Sequence, residues 1–185
     1  MFIMKEGSVE VCLYTSSGSS TNDLPSGSGK STFVNTLAGF HDCQSGYAIF
    51  EDGDLLTQRV EDRPIAMLFQ SNNLFPHLTI FRNVALAMTS RRWLTKFQQQ
   101  QVSNALDRVG LSGFENRKPG ELSGGQQSRA ALARVLLQKK PILLLDEPFA
   151  ALGPAMRNEM LDLVKEIAKI DNQIVLLVTH SPDDA

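Results

Sequence analysis

The residues best suited to chemistry are two adjacent carboxylates, Asp146 and Glu147, which directly follow the apolar run Ile142–Leu145. The run shows no alternation of polar and apolar residues, which predicts a strand covered on both faces, as in a parallel sheet. Ligands of open α/β sheets gather at the carboxyl ends of the strands, and both carboxylates stand at such an end. Asp146 is suited to hold a metal ion, directly or through a water, and Glu147 to act as a general base.

The second candidate is a short run of one serine, two glycines and one glutamine, Ser123-Gly124-Gly125-Gln126. It begins a predicted helix that runs to Lys140 and is stopped by Pro141. Serine is a favoured N-cap residue, and glycines leave the backbone amides uncovered. The free N–H groups and the positive end of the dipole make such a helix start an anion site. The alternative is a helix cap without a ligand, which is common for a serine and two glycines taken singly.

The third candidate combines small residues, a lysine and hydroxyl groups, Leu24-Pro25-Ser26-Gly27-Ser28-Gly29-Lys30-Ser31-Thr32. Small residues let backbone N–H groups point at phosphate oxygens, Lys30 would add a cation, and the Ser31 hydroxyl would reach Mg²⁺. The pattern G-x-x-x-x-G-K-[ST] is met except at its first position, which Leu24 occupies. The alternative is a Gly/Ser linker before a capped helix, predicted here over Phe33–Ala38 and ended by Gly39.

Two further polar residues follow predicted apolar strands. Gln70 comes after Ile65–Phe69 and could ligate Mg²⁺ through its amide oxygen and orient a water; the alternative is a surface glutamine. His180 follows the strand Ile174–Val178, at the same edge of the sheet as Lys30 and Asp146, in reach of a γ-phosphate.

The remaining pattern supplies the elements that position these residues. Residues 71–136 are predicted to be a mainly helical insertion between core strands, with helices over Ile80–Met88 and Gln98–Val109. A later helix starts near Pro154 and is predicted to bury a methionine and aliphatic stripe: Met156, Met160, Leu163, Val164 and Ile167. For Trp93, the only tryptophan, a core or boundary position is favoured over a partner anchor.

Bulk properties limit the classes of function. The chain has 185 residues, 42% hydrophobic and 21% charged, which indicates one soluble globular domain. A net charge of −2 gives no electrostatic case for nucleic acid. No apolar run approaches the roughly 20 residues needed to cross a bilayer, so work at a membrane would require docking onto a protein that spans it. Cys12 and Cys43 are expected to be free thiols in a reducing compartment.

Taken together, the motifs resemble those of the ABC transporter ATPases in order and spacing, from about Pro25 to Asp184. The residues that carry the resemblance are Gly27-Ser28-Gly29-Lys30-Ser31-Thr32, Gln70, Leu122 to Gln126, Leu143 to Pro148, and His180. The resemblance implies an α/β fold of the P-loop NTPase type, with an ABC-type core sheet over residues 1–70 and 137–185 and an inserted helical subdomain over residues 71–136. It also implies that the family's outermost N- and C-terminal strands are missing, and Val9–Leu13 could be the strand that leads into the phosphate loop.

The resemblance further implies a mechanism of ATP hydrolysis. Two copies would pair head to tail around two ATP molecules, with the phosphate loop of one copy and residues 123–126 of the other enclosing each γ-phosphate. Ser31, Gln70 and Asp146 would hold Mg²⁺, Glu147 would polarise the attacking water, and His180 would steady the γ-phosphate. The helical insertion and the loop after Gln70 would contact a permease at the cytoplasmic face of a bacterial inner membrane. A periplasmic substrate-binding protein would deliver the substrate to that permease.

Arg63–Thr79 and Pro141–Leu152 resemble in particular the ATP-binding subunits of bacterial thiamine importers, which implies thiamine and its phosphates as cargo. Importers of iron(III), molybdate and polyamines share much of the second stretch and stay open as alternatives. A degenerate or truncated ATPase is a further alternative, because Leu24 replaces a loop glycine and Gly153 stands where the family has an aspartate. A soluble ABC ATPase of repair or translation usually carries two cassettes or long insertions, neither of which is present.

Overall fold

The structure is a computed structural model that describes residues 2–4, 9–13, 30–43, 45–69 and 72–179, with the backbone alone for residues 2–4, 9–13, 30 and 31. In chain order its strands and α-helices are β1 (Phe2–Met4), β2 (Val9–Leu13), α1 (Lys30–Ala38), β3 (Gly46–Phe50), β4 (Gly53–Asp54), β5 (Ile65–Leu68), α2 (Ile80–Ala85), α3 (Lys96–Arg108), α4 (Gly124–Leu136), β6 (Ile142–Asp146), α5 (Pro154–Asp171) and β7 (Ile174–Val178).

A four-stranded sheet in the order β1-β7-β6-β5 forms the centre of the fold. β5, β6 and β7 run parallel, and β1 pairs antiparallel with β7 at the edge. Ile142 and Leu144 of β6 share a buried cluster with α1, whereas Leu143 and Leu145 share another with α4 and α5. Because both faces of β6 are covered, its sequence has no polar alternation. The predicted α/β class is confirmed.

A smaller antiparallel sheet has the order β2-β3-β4. Ala48 of β3 joins Val34 and Leu37 of α1 in one buried cluster, so this sheet packs on the α1 side of the molecule. Asp54 fixes its end, because one carboxylate oxygen accepts hydrogen bonds from Ala48 N and Leu56 N, each at 3.0 Å. β2 pairs antiparallel with β3, so the expectation that Val9–Leu13 is the strand of the parallel sheet that leads into the phosphate loop was wrong. Residues 14–29, which follow it, lie outside the described residues.

Helices α2, α3 and α4 lie between β5 and β6 in the chain and pack against one another, and the residues described in that interval form no strand. Val84, Leu106 and Leu132 form their shared core. α3 begins at Lys96, two residues earlier than the apolar pattern indicated, because Thr95 and Gln98 form a capping box at its start. The division of the chain into a core and a helical subdomain at residues 71 and 136 stays a prediction.

Helix α5 buries Met160, Val164 and Ile167, as its pattern predicted, and half-buries Leu163. The prediction for Met156 was wrong, because 41% of this residue is exposed. Met156 lies in the first turn of α5, where its thioether meets Gly125 at the start of α4 instead of the sheet.

The core or boundary position favoured for Trp93 was also wrong, since Trp93 is 83% exposed. Cys43 is a free thiol, as predicted, whereas the side chain of Cys12 is not described. No helix within the described ranges is long and apolar enough to cross a membrane.

Candidate functional site

The three parallel strands end at one level, which gathers their following residues at one edge. Leu68 of β5 is in register with Leu145 of β6, and Asp146 is in register with Val178 of β7. Asp146 and Thr179, the residue after β7, therefore lie at the same carboxyl edge of the sheet. Gln70 and His180 were predicted for this edge, but both lie outside the described residues.

Helix α1 runs with its start towards that edge. The carbonyl oxygens of Thr36 and Leu37, near its end, accept hydrogen bonds from Arg63 Nη1 at 2.8 and 2.6 Å. Arg63 lies just before β5, at the amino edge of the sheet. The 9 residues of α1 span about 13 Å, and a five-residue strand spans about 16 Å. Because α1 packs along β6 and β7, its first residue, Lys30, is placed towards the edge that carries Asp146.

The phosphate-loop prediction is only partly covered by the structure. Leu24, Pro25, Ser26, Gly27, Ser28 and Gly29 lie outside the described residues, and Lys30 and Ser31 are described by their backbone alone. Thr32 is exposed in the first turn of α1. The helix start therefore lies where a phosphate-binding loop would need it, because the N-terminal N–H groups of a helix attract anions.

Sequence reasoning gave Arg63 no role in positioning this site. Its guanidinium is buried, and its Nε donates a third hydrogen bond, to Gln58 O at 3.2 Å. Burial lowers the pKa of Arg63 from its usual value, and the Asp54 carboxylate opposes that shift. The three carbonyl partners hold α1 against the strand that follows Arg63. The available signal was a cation two residues before a predicted apolar strand, since such a residue needs partners when it is buried.

Glu147 adopts a backbone conformation that is rare for its residue type. Its φ is 46°, in the left-handed region, which costs a residue with a Cβ about 1–2 kcal/mol. The turn is held by Glu147 N, which donates to Val178 O at 2.9 Å, and by Glu147 O, which accepts from Ala150 N at 3.3 Å. Glu147 is half-buried in this strained turn and lines a small cavity together with Arg157 and Thr179.

A capping box formed by Ser123 and Gln126 begins α4. Gln126 N donates to Ser123 Oγ at 3.3 Å, and Ser123 N donates to Gln126 Oε1 at 2.9 Å. Ser123 and Gly124 are exposed, and Gly125 is buried. Among the described residues, no acceptor takes the backbone N–H of Gly124 or Gly125. A serine hydroxyl and two free amides at a helix start can together bind an anionic oxygen that approaches from outside the chain.

Both glycines also lie beside the segment that follows β6, and at Gly125 that contact is close. A Cβ on Gly125 would overlap the Met156 thioether, and one on Gly124 would come within 3.7 Å of Leu152 Cδ2. The segment from Leu152 to Met156 therefore lies directly against the start of α4. That segment begins five residues after Glu147, so the turn after β6 and the start of α4 belong to adjoining parts of the surface.

Arg134 of α4 links that helix to the loop after β5, a contact that sequence reasoning also missed. Arg134 Nη1 donates to Asn73 O at 2.7 Å and Nη2 to Asn72 O at 3.0 Å. Burial lowers the pKa of Arg134 from its usual value. Asn73 takes a left-handed conformation, with φ of 48°. The only sequence signal was a cation between Ala133 and Val135, in an otherwise apolar stretch.

The donor set predicted for Mg²⁺ consists of oxygen atoms only: a hydroxyl (Ser31), an amide (Gln70) and a carboxylate (Asp146). Oxygen ligands suit Mg²⁺, which keeps several waters and takes few protein ligands when it accompanies phosphates. Within the described part of the chain, no group of three or more His, Cys, Asp or Glu residues could hold a metal alone. The half-buried Asp146 thus fits a site that phosphates would complete.

Comparisons with known proteins identify the family of the chain. Residues 25–150 match the ABC transporter family. The thiamine import ATP-binding protein ThiQ of Ruegeria sp. (strain TM1040) is 56% identical over 161 residues, which cover 87% of this chain and 70% of that protein. ThiQ of Brucella abortus biovar 1 is 51% identical over 161 residues, covering 87% of this chain and 67% of that protein.

Two solved structures are also similar. The dimeric structure of MJ0796, a bacterial ABC transporter cassette, has a TM-score of 0.73 and 32% identity, and covers 87% of this chain and 74% of that one. A dimeric post-hydrolysis state of the same cassette, bound to ADP and Pi, has a TM-score of 0.72 with the same identity and coverage. With the motifs and the edge geometry, these likenesses show that the chain belongs to the ABC transporter family, as one of its ATPases.

Proposed function

We propose that the chain binds and hydrolyses ATP to energise an ABC importer whose cargo is thiamine and its phosphates. The observation that carries the ATPase part is the convergence of Asp146, Glu147 and the start of α1 at one edge of the parallel sheet. The cargo is supported by the names of similar proteins, which are thiamine import proteins.

In this proposal the phosphates of ATP lie against residues 24–32, at the start of α1. Ser31, Gln70 and Asp146 would hold Mg²⁺, which neutralises phosphate charge. Glu147 would take a proton from the water whose oxygen attacks the γ-phosphorus, as the bond to the leaving ADP oxygen breaks. His180 would hold the γ-phosphate in line. Positioning and charge neutralisation supply most of the catalysis of phosphoryl transfer.

The second half of each site would come from another copy of the chain. Ser123 and Gly124 are exposed, and their helix start has free amides that no described residue uses. A γ-phosphate held by one copy could therefore accept hydrogen bonds from Ser123 of the partner subunit. The dimeric state of the similar cassette MJ0796 supports this arrangement.

The proposed transmembrane partner is a permease, gripped by the loop after Gln70 and the helices of residues 71–136. The link from Arg134 to Asn72 and Asn73 ties that loop to the helix that starts with the Ser123–Gln126 motif. A permease pressing on the loop would thus act on both halves of the composite site. The complex would lie at the cytoplasmic face of the inner membrane, with a periplasmic binding protein delivering cargo from the other side.

The test is to reconstitute the chain with its permease in vesicles and to measure phosphate release and uptake of labelled thiamine. Glu147→Gln should lower phosphate release at least about 100-fold, because it removes the proton acceptor, and should leave ATP binding intact. Glu166→Gln, an exposed carboxylate on α5, is the matched control and should change neither.

Unchanged phosphate release in Glu147→Gln would contradict the proposed chemistry. Wild-type protein that binds no ATP would favour the degenerate alternative. Hydrolysis that is stimulated by an iron(III), molybdate or polyamine binding protein, and not by one loaded with thiamine, would reassign the cargo.

A further inference from the structure

The most exposed large apolar side chain among the described residues, Trp93, belongs to a short segment that combines aromatic and cationic side chains. Residues 91–97, called here the 91–97 segment, read Arg91-Arg92-Trp93-Leu94-Thr95-Lys96-Phe97. Trp93 is 83% exposed and Phe97 68% exposed. Arg91, Arg92 and Lys96 are exposed as well. Single exposed aromatics need no explanation, but two of them with three cations in seven residues do.

The surrounding sequence contains no acid that could neutralise these cations locally. Between Asp62 and Asp107 the chain carries five Lys and Arg residues and no Asp or Glu, although its net charge is −2. None of the ion pairs formed by the described residues involves Arg91, Arg92 or Lys96. Lys96 also lies in the first turn of α3, where the helix dipole disfavours a cation. The positive charge is thus left for a partner outside this region.

The segment is held in a fixed conformation. Arg82 of α2 donates from Nη1 to Arg92 O at 3.0 Å and from Nη2 to Arg91 O at 2.9 Å. Leu94 packs against the main core cluster, and the capping box of Thr95 fixes the start of α3. The Arg92 guanidinium lies 5.7 Å from the centre of the Trp93 ring. An ordered backbone that presents exposed aromatics and cations loses little conformational entropy when it binds.

We propose that the 91–97 segment contacts the headgroup region of a membrane that contains anionic phospholipids. Trp is the side chain most typical of membrane interfaces, because its ring is apolar and its indole N–H is polar. Lys and Arg place their apolar stems in the same layer and keep their charges at the phosphates. The phosphates of anionic headgroups would pair with the cations of a stretch that carries no acid of its own. This contact is separate from the proposed ATPase chemistry, since it requires no nucleotide, and within residues 71–136 it would take the 91–97 segment while the permease takes other parts of the helices.

Trp93 is the only tryptophan and therefore reports directly on the contact. The purified chain is titrated with vesicles of phosphatidylcholine and phosphatidylglycerol, or of phosphatidylcholine alone, at low salt. We expect the emission to shift to shorter wavelength and the chain to sediment with the anionic vesicles only. Brominated phosphatidylcholine mixed into the anionic vesicles should quench the emission, which a contact with another protein could not cause.

The charge contribution is measured with the double variant Arg91→Gln/Arg92→Gln. A cation near an anionic membrane surface is worth about 1 kcal/mol, so this variant should lower the vesicle partition coefficient about 25-fold. The matched control is Lys165→Gln/Lys169→Gln, two exposed lysines of α5, which should partition like the wild type. Ile170→Ala, which removes another exposed apolar residue, should likewise leave sedimentation unchanged, whereas Trp93→Ala should lower it.

The proposal is overturned if the Trp93 emission is the same with anionic and with zwitterionic vesicles, or if the two double variants lose equal affinity. The first result would leave the segment as a surface for a protein partner. Either result would leave the ATPase proposal untouched, because phosphate release is measured independently.

Discussion

At the scale of single residues, Gly39 and Gly113 separate backbone strain from steric overlap. Both are left-handed, with φ of 88° and 85°. A Cβ on Gly39 would lie 2.6 Å from Val60 Cγ2 and 3.0 Å from Arg63 Cζ, whereas a Cβ on Gly113 would meet nothing within 4 Å. We expect Gly113→Ala to lower the free energy of unfolding by about 1 kcal/mol and Gly39→Ala by about 3 kcal/mol.

Chemical denaturation of the two variants checks this difference. Gly113→Ala is the matched control, because it carries the same strain without the overlap. Equal losses in the two variants would show that Arg63 and Val60 move aside at little cost. A larger loss of unfolding free energy for Gly39→Ala would confirm that Arg63 and Val60 pack tightly against the end of α1.

At the scale of elements, the contact between Arg134 and the loop after β5 joins two parts of the proposed machine. Arg134→Met would remove both donors and leave Asn72 O and Asn73 O without this partner. Losing them should cost about 1.4 kcal/mol locally and raise amide hydrogen exchange of residues 72–75 about tenfold, with the core of α4 unchanged.

Hydrogen exchange followed by mass spectrometry measures this effect peptide by peptide. Arg108→Met is the control, because it removes an exposed ion pair with Asp171 on another helix and should not alter the loop. Faster exchange throughout α4 would argue against a local role, since it would mean that Arg134 stabilises the whole helix.

At the scale of the whole molecule, the exposed start of α4 predicts dimers that depend on nucleotide. Glu147→Gln protein with ATP and Mg²⁺ should elute at about twice the mass of one chain, because unhydrolysed ATP keeps the two copies together. Adding Ser123→Arg should restore the monomer, since a bulky cation would occupy the exposed helix start.

Thr95→Arg in the same Glu147→Gln background is the matched control. It removes a capping box from α3 just as Ser123→Arg does from α4, at a similar cost of about 1 kcal/mol. It should leave the dimer intact. Dimers that are lost equally in both variants would indicate that stability, and not the surface around Ser123, controls association.

Local sequence predicted most of the elements, because the relevant interactions are short in range. β6 and β7 have unbroken apolar runs because both of their faces are buried. Ser123 marks the start of α4 because its hydroxyl accepts a hydrogen bond from Gln126 N, three residues later. Bounds were missed where a cap overrode the apolar pattern, as Thr95 does for α3. Met156 was misplaced because periodicity identifies an apolar side chain and cannot identify what lies opposite it. Trp93 was misplaced because the usual burial of tryptophan says nothing about its particular neighbours.

The sequence by itself determined which groups could do the chemistry: Asp146 and Glu147 after an apolar strand, a lysine in a glycine-rich run, and a capped helix start. The sequence also predicted that Lys30 and Asp146 lie at one edge of a sheet, but the tertiary structure alone decided which contacts place the start of α1 beside the two carboxylates. Those contacts are the strand register and the hydrogen bonds of Arg63, whose partners Thr36 and Leu37 are 27 and 26 residues away in the chain. Contacts between residues so far apart in the chain produce no periodic pattern in the sequence, because each depends on packing between elements and not on the order of neighbouring residues.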